Sequence, residues 1–194
     1  MIHDAEIIRR VLAGDREWYR ELVTRHQGSV WGLIRALHSR PADHDDLAQE
    51  AFLAAFTHLG TFNESRGSFR TWLLAIARNT CRTAQKRPPH LPLPAGEPAD
   101  NTTPELMATQ AEGFRRLDAA LTALPEEQRL VFVLIELHGL SHTEAASVAG
   151  VPVGTVKSRL FRAKEWLREA LRETPADKSG PGSNSAPAAG IKLA

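Results

Sequence analysis

Apolar residues recur along this chain at spacings of three and four with polar residues between them, a pattern that predicts helices almost throughout. The first runs from Asp4 to Ala13, with Ile7, Ile8, Val11 and Leu12 apolar and Gly14 as its stop. A longer one, capped by Asp15, extends from Arg16 to about His38 and buries Trp18, Leu22, Val23, Val30, Leu33, Ile34 and Leu37, with Gly28 as a place for a break. Pro41 marks a turn, and Asp43, Asp45 and Asp46 supply caps for a third helix ending near Gly60. Ser68 caps a fourth, in which Phe69, Leu73, Ile76, Ala77 and Thr80 point inward while Thr71, Ala75, Arg78, Arg82 and Lys86 lie on the far side. From Pro88 to about Glu112 prolines come every few residues and large apolar residues are few, as in a flexible linker. Beyond it Phe114, Leu117, Leu121 and Leu124 mark one amphipathic helix, and Pro125 opens another with Leu130, Val131, Leu134, Ile135 and Leu137 mostly buried. There is no strand signal. The expected fold is all-α: two small helical domains, 1–87 and 113–173, joined by a flexible linker over 88–112 and followed by a disordered Gly, Pro, Ser and Ala-rich tail over 174–194.

The stretch from Gly139 to Leu171 carries the most specific pattern. Ser141 followed three residues later by Glu144 is a capping-box start, and Gly150 suits the left-handed stop of a short helix. In the helix that follows at once, Val156, Leu160, Ala163, Leu167 and Ala170 form one buried stripe. Ser158, Phe161, Arg162 and Glu165 lie opposite, with Thr155 and Arg159 on the shoulder. Such a pair matches a helix-turn-helix, whose second helix enters the major groove. Lys157, Arg159, Arg162, Lys164, Arg168 and Arg172 meet only Glu165, Glu169 and Glu173, so a positive stripe survives, and Phe161 faces outward where a thymine methyl or a sugar is a natural contact. The competing reading is an alanine-rich helical pair with an ordinary solvated basic face.

Two faces in the first half invite a similar question. On the third helix Ala48, Ala51, Phe52, Ala55 and Leu59 cluster toward the core, leaving Asp46, Gln49, Glu50, Leu53 and Thr57 on the other side. An exposed leucine ringed by acidic groups fits a partner-binding anchor as well as it fits a plain solvated face. On the fourth helix Arg78, Arg82 and Lys86 recur every fourth residue as a basic rail suited to phosphates, flanked by Trp72 and Asn79. Trp72 is either a core residue or a platform for an unpaired base.

Charge and cysteine content narrow the classes. The 194 residues carry a net charge of +1, so nucleic-acid binding must come from local patches rather than a bulk positive field. The single cysteine, Cys81, excludes an intramolecular disulfide and reads as a small buried hydrophobe. MIHDAEIIRR lacks the apolar stretch of a signal peptide, and the longest apolar run, Leu130 to Ile135, is far too short to span a bilayer. The expectation is a cytoplasmic protein without membrane insertion.

Taken together, DHDDLAQEAFLAAF and FNESRGSFRTWLLAIARNTCR in the first half, with LPEEQRLVFVLIELHGLSHTEAASVAGVPVGTVKSRLFRAK in the second, make the chain resemble the extracytoplasmic-function (ECF) group of bacterial sigma factors, initiation subunits of RNA polymerase in the sigma-70 family. The likeness covers nearly everything from Asp4 to Glu173. It implies that Asp46, Gln49, Glu50 and Leu53 bind the clamp helices of core RNA polymerase. It implies further that 63–86 captures the opened −10 promoter element, with Asn63, Trp72, Arg78, Asn79, Arg82 and Lys86 as candidate contacts. Holding extruded bases would offset a duplex-opening cost of about 1.4 kcal/mol per step. The last helix would read the −35 element as duplex through Thr155, Lys157, Ser158, Arg159, Phe161 and Arg162. An anti-sigma factor is a further partner that the resemblance suggests. Cys81, Arg82 and Gln85 stand where many relatives are more aliphatic, which makes the −10 set the less secure one.

No catalytic residue, metal or cofactor is expected. A metal enzyme would draw on His38 and His44 with Asp43, Asp45 and Asp46, or on His138 and His142, but the aspartates are explained as caps and the last two histidines straddle the Gly139 turn. The alternative closest in chemistry is a stand-alone helix-turn-helix regulator. Such proteins usually dimerise, and this chain has no dimer seam.

Overall fold

The computed structural model describes residues 2–87 and 116–172, all of whose regular elements are helical. The linker over 88–112, the tail over 174–194 and Phe114 lie outside the described residues. Helices α1 (Asp4–Leu12), α2 (Tyr19–Leu37), α3 (His44–Thr57) and α4 (Phe69–Gln85) form the first half. The second comprises α5 (116–123), α6 (Glu126–Phe132), α7 (His142–Ala149) and α8 (Val153–Arg172). In the first half α4 packs across both α2 and α3, burying Leu33, Ile34, Leu47, Ala51, Leu73, Leu74 and Ala77 between them. Leu47 belongs to this core alongside the alanines expected there. In the second, α8 rests on α6 and α7 through Val156 and Leu160, while Ala163 and Leu167 cluster with Ala120 of α5 and Leu124 just beyond it.

Several local expectations change. No break occurs at Gly28; instead a single 3-10 turn, Arg16–Trp18, precedes α2, and neither Asp15 nor Asp43 caps with its side chain. Asp43 is used elsewhere, its carboxylate lying 2.8 Å from His38 Nε2 and 2.7 Å from Arg40. Leu137 is exposed at 58% because the chain winds into a π turn over Val133–Leu137, marked by the His138 N–H donating to the Val133 carbonyl at 3.0 Å. The wider turn shifts the phase, sending Leu137 outward and the unexpected Val133 into the core.

The two halves share one hydrophobic cluster. Helix α7 lies against α4, and α6 against α2. Arg70 donates through Nη2 to the His138 carbonyl at 2.6 Å and through Nε to Ser29 Oγ at 3.2 Å. Thr71 Oγ1 donates to Glu144 at 3.3 Å, and Arg78 Nη1 reaches the Val148 carbonyl at 3.5 Å. This packing alters what α4 exposes: Thr71, expected on the open side, is buried, and Arg78 and Ala75 are half-buried. Ile76 and Thr80, expected inward, are only half-buried.

Candidate nucleic-acid and partner interfaces

The helix-turn-helix forms for the reasons its sequence suggests. Ser141 Oγ accepts from the Glu144 N–H at 3.2 Å while the Glu144 carboxylate accepts from the Ser141 N–H at 2.9 Å, so two otherwise orphaned groups are satisfied reciprocally. The Ser141 N–H first, and the Ser141 hydroxyl donating to the same carboxylate at 2.8 Å second, hold the Glu144 carboxyl below its ordinary range. Gly150 ends α7 at φ 64°, a left-handed conformation that any side chain would strain. Helix α8 then buries Val156, Leu160, Ala163 and Leu167, with Ala170 half-buried at its edge, and presents Lys157, Ser158, Phe161 and Arg162 to solvent. Phe161 is 67% exposed, a large apolar area to leave in water. Thr155 and Arg159 are half-buried on the shoulder, where Arg159 pairs with Glu127 of α6. Among the described residues Lys157 and Arg162 have no ion-pair partner, whereas Lys164 pairs with Glu136 at 2.7 Å and Arg168 with Glu165.

On α3, Asp46, Gln49 and Leu53 are exposed and Glu50 is half-buried, its carboxylate held by Arg87 at 2.9 Å. Leu53 stands at 66% exposure on a ridge between two grooves. One, about 460 Å³, is lined by Tyr19, Val23, Phe52 and Phe56 with Arg16, Glu17 and Arg20 at its rim. The other, about 520 Å³, runs between α3 and α4 past Glu50, Ala54, Ile76, Asn79 and Thr83. The aromatic wall was missed in sequence because Tyr19 and Phe56 meet only when α2 and α3 cross; their rings lie 4.9 Å apart edge to face. The Tyr19 hydroxyl donates to the Phe52 carbonyl at 2.6 Å, and burial raises its pKa. That bond ties the groove wall to α3 one residue before Leu53.

The −10 candidates divide into three groups. Asn63 and Trp72 line a cleft of about 370 Å³ with Phe62, Arg66, Thr71 and Ala75, closed on one side by Ser147 of α7. Asn63 also shapes the loop, accepting from the Ser65 N–H at 2.9 Å. Trp72 packs against Phe62 and Phe69 with ring centroids 5.7 and 5.6 Å away, so it is a core residue on one side and a cleft wall on the other. Asn79, exposed, shares the second groove with Leu53 rather than the Trp72 cleft. Seven residues separate the two on α4, about 10.5 Å along the axis and nearly in phase, so cleft and groove follow one stripe. The rail is uneven as well. Arg82 and Lys86 are exposed, but Arg78 lies under α7, where burial first and Arg82 second lower its pKa.

His38 and His44 serve packing. His38 Nε2 meets Asp43, and His44 Nε2 meets the His38 carbonyl at 2.9 Å. His142 is exposed, whereas His138 is wedged against α2. Among the described residues no group of three or more His, Cys, Asp or Glu side chains is placed to hold a metal ion, and no helix is long and apolar enough to cross a membrane. Cys81 is buried and its thiol is pushed up to about 11, leaving little thiolate for chemistry.

An exposed leucine between two grooves, an aromatic cleft and a helix-turn-helix with a basic outward face thus lie on one helical chain, and comparison with known proteins gives its class, a transcription initiation factor. Residues 22–87 match Sigma-70 region 2 and residues 114–167 match Sigma-70, region 4. The chain is 36% identical over 183 residues to the ECF RNA polymerase sigma-E factor of Haemophilus influenzae, covering 87% of this chain and 95% of that one. It is 35% identical over 182 residues to the RNA polymerase sigma-H factor of Pseudomonas aeruginosa, covering 87% and 94%. Among solved structures, CnrH in complex with the cytosolic domain of CnrY aligns at TM-score 0.67 and 27% identity, over 87% of this chain and 97% of that one. The sigma factor RpoE in complex with the anti-sigma factor NepR from Bartonella quintana shares the fold at TM-score 0.61 and 23% identity, over 81% and 98%. The chain belongs to the ECF group of the sigma-70 family.

Proposed function

We propose that this sigma factor binds core RNA polymerase, directs it to promoters carrying two spaced elements and helps open the DNA between them. Residues 1–87 form the unit that docks polymerase and captures the −10 element, and 113–173 form the unit that reads the −35 element. Leu53, flanked by an aromatic groove and by Asp46, Gln49 and Glu50, is the anchor for the polymerase clamp helices. Asn63 and Trp72 border the cleft that takes an unstacked base, while Asn79, Arg78, Arg82 and Lys86 track the strand along α4. Thr155, Lys157, Ser158, Arg159, Phe161 and Arg162 meet the −35 duplex. The observation carrying this reading is the aromatic cleft on α4, a second nucleic-acid surface that a lone helix-turn-helix regulator has no use for.

The chain would act in the cytoplasm beside the polymerase, and it makes and breaks no bond: opening is driven by binding the opened strand. Because α7 covers Arg78, the halves must part before the full rail meets DNA. An anti-sigma factor that held them together would silence the protein. Run-off transcription with bacterial core polymerase on randomised promoters tests the proposal. Chain-dependent transcripts sharing two spaced elements support it. Duplex binding that needs no polymerase, with no transcript, would favour the stand-alone regulator.

A further inference from the structure

The contact between the halves has an unusual centre. An ideal Cβ on Gly32 of α2 would lie 3.2 Å from Cε1 and 3.6 Å from Nε2 of His138, so the imidazole rests directly on the α2 backbone. His138 Nε2 is buried without a hydrogen-bond partner. The guanidinium of Arg70 is clamped beside it by the His138 carbonyl and Ser29 Oγ. We propose that His138 is a proton-sensitive latch between the two halves: with the ring neutral they close, and with the ring protonated they separate.

Inside the contact the buried Nε2 meets no acceptor for a proton. From α4 the facing charge is Arg70, a cation. From α2 the groups that meet the ring and its arginine are Gly32 and Ser29, neither of which titrates. Glu144 of α7 is committed to Ser141 and Thr71, and Glu136, on the ring's own turn, pairs with Lys164. Burial first, and Arg70 second, lower the His138 pKa below its ordinary 6.5. The sign follows. In the separated state the solvated ring titrates near 6.5, so closing expels a proton. Closure is at full strength above that value and is lost as pH falls toward the lowered one. In that window the closing constant drops by up to about tenfold per pH unit. The result of opening, exposure of Arg78 and the Trp72 cleft, rests on the promoter reading above; the latch itself does not.

The test uses the full chain with Cys81→Ala and one dye-bearing cysteine in each half, Thr57→Cys and Glu169→Cys, both at exposed positions. Energy transfer between the dyes is expected to fall from about pH 8 to about pH 5 with helical circular dichroism unchanged, and to stay high in His138→Gln. Transfer that ignores pH, or falls equally in His138→Gln, overturns the latch. Should His138→Gln fail to close, the NMR titration of the His138 ring in the parent chain decides: a midpoint below 6.5 supports the latch and one at or above it overturns it. Neither readout involves polymerase or promoter, so failure here and failure of the transcription assay are separable.

Discussion

Helices α4 and α8 are both amphipathic, both basic and both proposed to meet DNA, yet they stand in opposite situations. Helix α8 buries one stripe within its own half and leaves the rest to solvent. Helix α4 is covered on two sides, by α2 and α3 from its own half and by α7 from the other. A residue on the open side of α8 is therefore free to act through its chemistry alone. On α4 the same residue type has a second occupation, as Arg78 does in reaching for the Val148 carbonyl. The comparison teaches that one basic periodicity corresponds to a ready surface in one place and a gated one in another.

The largest expected effect lies outside both helices and checks that the surfaces are independent. Leu53→Asp should weaken binding to core polymerase by about thirtyfold or more while circular dichroism and the unfolding midpoint stay unchanged, because the side chain is exposed. An unfolded variant would mean that Leu53 supports the core. On α8, Arg162→Ala should cost about 1 to 3 kcal/mol of −35 duplex affinity and shift folding stability by no more than about 0.5 kcal/mol. Unchanged affinity and promoter choice would remove Arg162 from the recognition face.

Ser141→Ala tests the support beneath α8. It should cost about 1 kcal/mol of stability in denaturant titration. The Glu144 carboxyl is held low, so its contribution is present above its ordinary pKa of 4.5 and disappears as pH falls through the lowered value. The Ser141 N–H, the larger cause, survives the substitution, so Ser141→Ala should reduce that acid sensitivity without abolishing it. The smallest effect separates the two ends of the rail. Arg82→Ala should lower the salt slope of −10 strand binding by about 0.7 and leave the shape of the free chain alone. Arg78→Ala should also loosen the halves, read as a larger radius of gyration in solution scattering. Equal scattering from the two variants would show that the Arg78 contact does not hold them together.

Much of the molecule was legible from local pattern. The capping box at Ser141 and Glu144, the stop at Gly150, the Ser68 cap and the outward phase of Leu53 and Phe161 all depend on neighbours within one helical turn. Periodicity failed wherever a longer-range contact or an altered pitch intervened. Leu137 was turned out by the π turn, and Asp43 was drawn from capping to His38 and Arg40. Thr71 was buried by α7, a helix more than sixty residues away in the chain.

Local physics in the sequence by itself determined helices across the described residues and the side chains of α8 that face away from their own core, while the family was read from the resemblance of its two motif sets. Only the tertiary structure decided that Trp72 is both core and cleft wall, that Asn79 shares a groove with Leu53, and that Arg78 and His138 lie between the halves. The physical reason is range. Caps and helical phase are settled by hydrogen bonds and side chains a few residues apart, whereas a cleft or a buried imidazole exists only where distant helices bring their surfaces together.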